Sequence, residues 1–355
     1  MKKQKLQSDS SKDMHKKKNF LLYFLALIVG LLVLFFVSLY VFVPSYSFEN
    51  PKPFSGKFIN NPYQNLTDLN WNYIDLRNDN IIPSYEYGFG LFPTTYLCIN
   101  YSSKRKIDYP FFQNIHFKQH NINSLNKISS LVIPVRLDKG FKLREMKHLD
   151  NYQLMEVMSQ YGNYFNYWDM ALSSGHRVNI MATGWVSEQN DFVNKTVVNA
   201  DLNNHEQVVK SLKNGDSYAV SYLKGNLDLP ELKSLLLTND TIIVEATKKI
   251  KTLRFIGQNG IVKDSLSDVN QGVYAFKDDD SYIRIQMDFE YLTSIYLNPI
   301  VRHQFQYFFD LSMSKMMKEK TWLMRVVYVL VVIFFTRYLL KTKKEVDEDK
   351  RECNK

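Results

Sequence analysis

The chain has 355 residues, two cysteines and a formal net charge of +9. Its first eighteen residues carry seven lysines against two aspartates, whereas residues 19–340 carry 32 basic and 29 acidic side chains. A nucleic-acid-binding protein concentrates basic charge on its folded domain. The charge distribution therefore argues against a nucleic-acid partner and indicates a basic head beside a membrane segment.

The first predicted element is a transmembrane helix at residues 19–44. It contains an uncharged run of about 24 residues, which is enough to cross a bilayer with some tilt, and Pro44 ends it. Three lysines directly precede the run, so residues 1–18 are predicted to be a cytoplasmic head. A cleaved signal peptide is the alternative, but the run is longer than a typical signal sequence and no small-x-small cleavage site follows it.

Residues 45–229 are predicted to form an α/β domain. Short apolar runs that are typical of strands alternate here with stretches of helical periodicity. This alternation is typical of a parallel sheet whose strands are connected by helices. The predicted strands cover residues 81–90, 96–100, 131–135, 154–158 and 178–182, and the predicted helices cover residues 114–130, 142–149, 164–173 and 205–214.

Residues 230–303 are predicted to form a smaller β-rich module, because the pattern changes to strands separated by turns. Gln258-Asn259-Gly260 is a hairpin signal within it. Residues 304–321 are then a connecting segment. The predicted strands of the module cover residues 234–237, 241–246, 252–256, 272–276, 282–289 and 294–297.

A second transmembrane helix is predicted at residues 322–340. Arg325 and Arg337 lie near its two ends, where arginine side chains reach the lipid headgroups. Lysines follow it directly, so residues 341–355 are predicted to be a cytoplasmic tail. A buried amphipathic helix is the alternative, although the segment is apolar on all faces between the two arginines. The chain is therefore predicted to be a two-pass protein of the inner (plasma) membrane. Both termini are then cytoplasmic and the main domain is extracytoplasmic, which in a bacterium means periplasmic.

Five motifs of the domain between the helices stand out together: IIPSYEYGFG, MKHLDNYQLMEVM, YWDMALSSGH, FIGQNG and YLNPIVRH. In combination they resemble membrane-anchored proteins of the PHP (polymerase and histidinol phosphatase) family, over about residues 55–303. The resemblance implies a distorted barrel of the TIM type, degenerate and truncated here, with the β-rich module appended. It also implies phosphoester hydrolysis by two or three divalent metals, held by His, Asp and Glu at the carboxyl ends of the strands.

Most of the metal ligands that this resemblance implies are replaced. The family's Glu-His-Gly corresponds to Glu86-Tyr87-Gly88, and its Ala-His-Pro corresponds to Val132-Ile133-Pro134. A third ligand loop corresponds to residues 183–187, and the opening His-x-His segment is missing. Glu86 is then the one implied ligand that remains, and one carboxylate cannot hold a catalytic metal cluster. The vestigial site positions are Glu86, Tyr87, Ile133, Pro134, Gly184, Trp185 and Ser187.

Three hypotheses for the function follow. The first is a membrane-anchored PHP-like pseudoenzyme that needs no cofactor and acts as a binding or assembly module for a protein partner, an envelope ligand or a membrane complex. The second is an active metal-dependent phosphoesterase with relocated ligands, drawn from His116, His120, Glu86, Glu188 and Asp191. The third is a structural subunit that joins a membrane complex through its helices, in which Arg325 would contact a partner. In all three hypotheses, Asp169 is expected to orient a helix or a loop.

Overall fold

The computed structural model of the protein describes residues 24–38, 41–56, 71–88, 93–105, 113–184, 191–238, 240–302 and 314–352. The chain divides into a helical unit, Met1–Tyr46 with Met316–Lys355, and a large unit, Ser47–Lys315. The helices are α1 (Phe24–Ser38), α2 (Ile115–Leu125), α3 (Leu137–Gly140), α4 (Phe165–Ser173), α5 (His205–Asn214) and α6 (Lys318–Glu352). The strands are β1 (Tyr46–Phe48), β2 (Trp71–Ile74), β3 (Ser84–Tyr87), β4 (Thr95–Tyr101), β5 (Ser129–Val135), β6 (Leu154–Ser159), β7 (Gly162–Asn163), β8 (Asn179–Ala182), β9 (Phe192–Asn199), β10 (Ser217–Leu223), β11 (Leu232–Thr238), β12 (Thr241–Ile256), β13 (Val262–Ala275), β14 (Tyr282–Asp288), β15 (Ser294–Leu297), β16 (Ile300–Val301) and β17 (Ser314–Met316).

In the helical unit, α6 is the one described helix that is long and apolar enough to cross a membrane. Its candidate span, Lys318–Thr342, includes the predicted second segment and is identified by length and composition alone. α1 is also apolar but has only fifteen described residues, and residues 19–23 and 39–40 of the predicted first segment lie outside the described residues. One candidate span is therefore present, and the two-pass arrangement stays a prediction.

The two helices of this unit pack against each other in opposite directions. Three contacts show this: Gly30 lies next to Phe335, Leu34 next to Tyr328, and Phe42 next to Arg325. The residue number rises along α1 and the segment after it while it falls along α6. Gly30 permits the first contact, because a Cβ there would lie 2.3 Å from Cζ of the Phe335 ring. Small residues let neighbouring helices approach closely in this way.

Nine of the described strands form one antiparallel sheet in the large unit. The order is β11-β12-β14-β15-β10-β9-β2, with β13 paired to β12 and β16 paired to β14. The sheet curls into half a barrel. Strands of the predicted β-rich module are antiparallel, as expected, and they extend the sheet that contains β9 and β10 of the preceding segment. The predicted hairpin at Gln258–Gly260 connects β12 to β13.

Within this sheet, the hairpin of β12 and β13 folds back on itself. The ladder between them shifts register between Glu245 and Ile250. Beyond the shift the two halves of the hairpin contact each other, and the rings of Phe255 and Tyr274 stack with their centroids 5.0 Å apart. Gly272 lies in the same contact, where a Cβ would fall 1.8 Å from Cδ2 of Leu253. A glycine is therefore required for the two halves to approach.

The remaining described strands of the α/β segment correct the predicted parallel sheet. β3, β4 and β5 form a three-stranded antiparallel sheet, and among the pairings of β6, β7 and β8 only that of β6 with β8 is parallel. The reason is visible between β4 and β5. The chain leaves the sheet at Tyr101, passes through α2 and returns to the same end of the sheet. There, Ser102 N donates to Ile128 O at 2.7 Å. A TIM-type barrel needs a closed parallel sheet, and the described strands do not form one.

An ion pair ties α4 to the large sheet. Arg284 of β14 donates from Nε and Nη2 to the two carboxylate oxygens of Asp169, at 2.7 and 2.8 Å. Tyr282 Oη donates to the same carboxylate at 3.2 Å. The guanidinium also lies over the rings of Phe165 and Trp168, with its Cζ 5.4 and 5.2 Å from their centroids. The expectation that Asp169 orients a helix is confirmed.

Candidate functional site

The predicted vestigial positions fall on the ends of the small sheets. Glu86 and Tyr87 lie on β3, Ile133 and Pro134 lie on β5, and Gly184 follows β8. In the register of the antiparallel sheet, one row of neighbours runs Glu86, Leu97, Ile133 and the next runs Tyr87, Tyr96, Pro134. β4 therefore separates the two predicted motifs, by about 10 Å between the outer strands. Trp185 and Ser187 lie outside the described residues.

Ile133 occupies the position at which the resemblance implies a histidine. Its side chain is fully buried, in an apolar cluster that includes Leu97 and Leu131. Gly184 lies against β9, where a Cβ would be 2.9 Å from the backbone nitrogen of Asn194. Neither position offers a metal ligand. Both are explained by close packing.

Glu86 is held by two arginines. Its Oε1 lies 2.7 Å from Nη1 of Arg77, which follows β2, and its Oε2 lies 3.1 Å from Nη2 of Arg136, which follows β5. The Glu86 side chain is 31 % exposed. Both oxygens thus have charge-assisted hydrogen bonds, which are among the stronger polar contacts in proteins.

A second carboxylate, that of Glu156, belongs to the same cluster. Glu156 of β6 is fully buried, and its Oε1 lies 2.6 Å from Nη2 of Arg77. Its Oε2 accepts from the backbone nitrogen of Arg136 at 2.9 Å, and the hydroxyl of Thr183 donates to Oε1. The cluster, named here the strand-end network, therefore consists of Arg77, Glu86, Arg136, Glu156 and Thr183. It gathers residues from five chain segments, in or directly after β2, β3, β5, β6 and β8.

The charges of the strand-end network balance. Two guanidinium groups face two carboxylates, and Arg77 bridges both of them. A divalent cation at Glu86 would have to displace the guanidinium groups and would be repelled by them. Among the described residues, no group of three or more His, Cys, Asp and Glu side chains is placed to hold a metal ion. The described arrangement is that of a salt-bridged network.

The second hypothesis requires His116, His120, Glu86, Glu188 and Asp191 to meet at a metal. His116 and His120 lie on α2, and the ring of His116 packs near Phe48 at a centroid distance of 5.7 Å. Burial, together with nearby Arg105 and Lys127, lowers the pKa of His120 to about 4. Asp191 precedes β9, and Glu188 lies outside the described residues. No three of the described members form a metal-binding group.

Arg136 has a backbone conformation that is rare for its residue type. Its φ is 51° and its ψ is 53°, in the left-handed region. Non-glycine residues adopt this region at a cost of about 1–2 kcal/mol, and such strained positions are common at functional sites. Here the backbone is held by Glu156 and the side chain by Glu86. The strain is thus maintained by the strand-end network itself.

The outer side of the network carries an aromatic ring with two cations near it. Tyr161 is 49 % exposed. The guanidinium Cζ of Arg136 lies 5.5 Å from the centroid of its ring, and Nζ of Lys139 lies 5.0 Å from it. Arg and Tyr are enriched at protein interfaces. We name Arg136, Lys139 and Tyr161 the cationic face.

Prediction from sequence did not single out Arg77, Arg136 or Glu156. One signal was present for Glu156, a carboxylate inside the apolar run LMEVM, because a buried acid requires a partner. No comparable signal marked the arginines, which stand 79 and 20 residues before it in the chain. The chain matches no family model, no curated protein and no solved structure with which it was compared.

Proposed function

We propose that this chain is a membrane-anchored protein whose large unit acts outside the cytoplasm as a binding or assembly module without phosphoesterase activity. One observation carries the proposal: Arg77 and Arg136 engage both carboxylate oxygens of Glu86, the one ligand that a PHP-type metal centre would retain. A divalent cation at this glutamate would have to displace the guanidinium groups from both oxygens. What remains at the strand ends is the strand-end network, in which the charges of two arginines and two glutamates balance.

The anchor in this proposal is a helical hairpin. α6 has the length and composition of a membrane span. α1 packs along it in the opposite direction, so both helices cross together if one does. The lysines at positions 16–18 then place the start of α1 in the cytoplasm, and the hairpin gives α6 the opposite orientation. The large unit, which lies between the helices in the chain, is thereby extracytoplasmic.

The binding surface in this proposal is the cationic face. Its arginine and tyrosine are partly exposed, and the ion pair with Glu86 holds the arginine before any partner arrives. Preorganised side chains lose little conformational entropy on binding. We therefore expect a partner that presents carboxylates and an apolar or aromatic group to Arg136, Lys139 and Tyr161.

Arg325 bears on the remaining hypothesis, in which the helices join a membrane complex. Its Nη2 donates to the carbonyl of Phe42 at 3.0 Å, and its Cζ lies 5.8 Å from the Phe42 ring. The arginine thus already has contacts within its own chain. A partner in the membrane is not needed to satisfy that hydrogen bond.

Metal content and activity of the purified full-length protein test the catalytic part of the proposal. We expect less than stoichiometric Zn, Mn or Fe by elemental analysis, and phosphoester hydrolysis at the level of a Glu86→Ala variant. Stoichiometric metal together with activity that Glu86→Ala abolishes would overturn the proposal in favour of an active phosphoesterase. Reporter fusions at both termini and at the exposed loop residue Gly225 test the topology, for which we expect cytoplasmic signals at the termini alone.

A further inference from the structure

The outer end of α6 carries basic residues that its proposed orientation does not explain. Lys318, Lys320 and Arg325 lie in its first two turns, against the single acid Glu319. In a two-pass protein with both termini inside, this end faces away from the cytoplasm. Short extracytoplasmic segments next to a membrane helix are normally poor in lysine and arginine. These cations therefore require another reason.

The position of these residues along α6 matches the depth of the headgroup layer. A rise of 1.5 Å per residue places Lys318 about 10 Å from Arg325 along the helix axis. Trp322 lies between them and is 68 % exposed. Tryptophan is enriched at the level of the lipid headgroups. Its position therefore marks the membrane interface, with the two lysines on the aqueous side and the arginine on the apolar side.

Within the described part of the chain, no carboxylate compensates these charges. Lys318 and Lys320 are exposed, and no described carboxylate forms an ion pair with either. The described partners of Arg325 are neutral, namely the carbonyl and the ring of Phe42, and its Nε makes no hydrogen bond to a described residue. A cation at this depth is stabilised by an anion in the same layer.

We propose that Lys318, Lys320 and Arg325 form a binding site for the headgroups of anionic phospholipids at the extracytoplasmic end of α6. Charge complementarity selects the ligand: phosphate groups of lipids with a net negative charge lie at this depth, and each lysine near a charged surface favours them by about fivefold. Arg325 is fixed against Phe42 and directs its remaining donors to the same layer. The inference rests on the proposed insertion of α6 into a membrane.

Quenching of Trp322 fluorescence by brominated phospholipids tests the site on the full-length protein reconstituted in lipid vesicles. A Trp322→Phe variant identifies the Trp322 contribution to the signal. We expect brominated phosphatidylglycerol to be enriched at Trp322 at least fivefold over brominated phosphatidylcholine. In the Lys318→Gln/Lys320→Gln double variant, which keeps Arg325, we expect the preference to fall about fivefold or more. The matched control, Lys341→Gln/Lys344→Gln at the opposite end of α6, should retain the wild-type preference.

Each other outcome has a distinct meaning. Equal quenching by the two lipids in the wild type, or an undiminished preference in the Lys318→Gln/Lys320→Gln variant, overturns the lipid site while leaving insertion intact. Loss of the preference on addition of millimolar inorganic phosphate at constant ionic strength also overturns it, because the site would then bind free phosphate. Absence of quenching by either lipid shows that α6 is not inserted, so the proposed anchor itself fails.

Discussion

Two ion-pair clusters of the large unit connect distant parts of the chain, and they are built differently. Asp169 and Arg284 are both almost fully buried, form a bidentate pair and are flanked by aromatic rings. The strand-end network is graded, from fully buried Glu156 to partly exposed Glu86 and Arg136. It also contains a strained backbone at Arg136.

This difference distinguishes a contact that only stabilises the fold from a site that presents side chains to a partner. The Asp169 pair has no open side, so its effect is confined to holding α4 on the large sheet. The strand-end network holds its outer arginine in place beside an exposed tyrosine. Strain and partial exposure together are expected where a protein presents side chains to a partner, and neither is needed for a contact that only stabilises the fold.

The largest expected effect is that of Asp169→Ala. It leaves the Arg284 guanidinium buried without a counter-charge, which costs about 3–5 kcal/mol of unfolding free energy. Denaturant titration followed by tryptophan fluorescence measures it, since Trp168 lies in the contact. Lys233→Gln, which breaks an exposed surface pair, is the matched control and should cost less than about 1 kcal/mol. Equal losses for the two variants would contradict the structural role of Asp169.

A comparison of Glu156→Gln with Glu86→Gln measures the gradient within the strand-end network. Both substitutions preserve shape and remove one charge. We expect a loss of about 2–3 kcal/mol at buried Glu156 and of less than about 1 kcal/mol at Glu86, where water screens the pair. The same denaturant titration provides both values. A larger loss at Glu86 than at Glu156 would reverse the proposed order.

Substitution of Arg136 by glycine and by alanine isolates the backbone strain. Both variants lose the guanidinium, but glycine adopts φ of 51° without the steric cost that alanine has. Arg136→Gly should therefore be more stable than Arg136→Ala by about 1 kcal/mol. If alanine is the more stable of the two, the left-handed conformation is not retained in the variants and the strain is not intrinsic to the site.

A similarly small effect concerns acid, and it sets the pH at which the other comparisons are valid. The pKa of His120 is lowered from 6.5 to about 4 by burial and by nearby cations. Below pH 6.5 the unfolded chain binds a proton that the folded chain does not, so stability falls as the pH decreases from about 6.5 to about 4. At pH 5 the loss should be about 1 kcal/mol, allowing for partial solvent exposure.

His120→Gln checks this assignment, because glutamine cannot titrate. The variant should show a smaller fall in stability between pH 6.5 and pH 5 than the wild-type protein. Lys127→Gln, which removes one of the nearby cations, should leave most of the fall in place, since burial is the largest cause of the shift. An unchanged slope in His120→Gln would assign the acid sensitivity to another group.

Local sequence determined much of this protein by itself. Periodicity located α2, α4 and α5, and the apolar run of α6 follows from composition alone. Gln258–Gly260 forms the predicted turn because asparagine and glycine accept positive φ, at 59° and 73°. The predicted strands at residues 241–246 and 252–256 are joined in the single strand β12, since its ladder continues through a bulge.

Only the tertiary structure decided the direction of the strands and the composition of the site. Alternating strands and helices are compatible with either strand direction, and the return of the chain beside Tyr101 is settled by its pairing with Ser129. The strand-end network joins Arg77 to Glu156 across 79 positions. Two charged residues so far apart in the sequence produce no periodic pattern. Their contact depends on how the fold places the ends of separate strands next to each other.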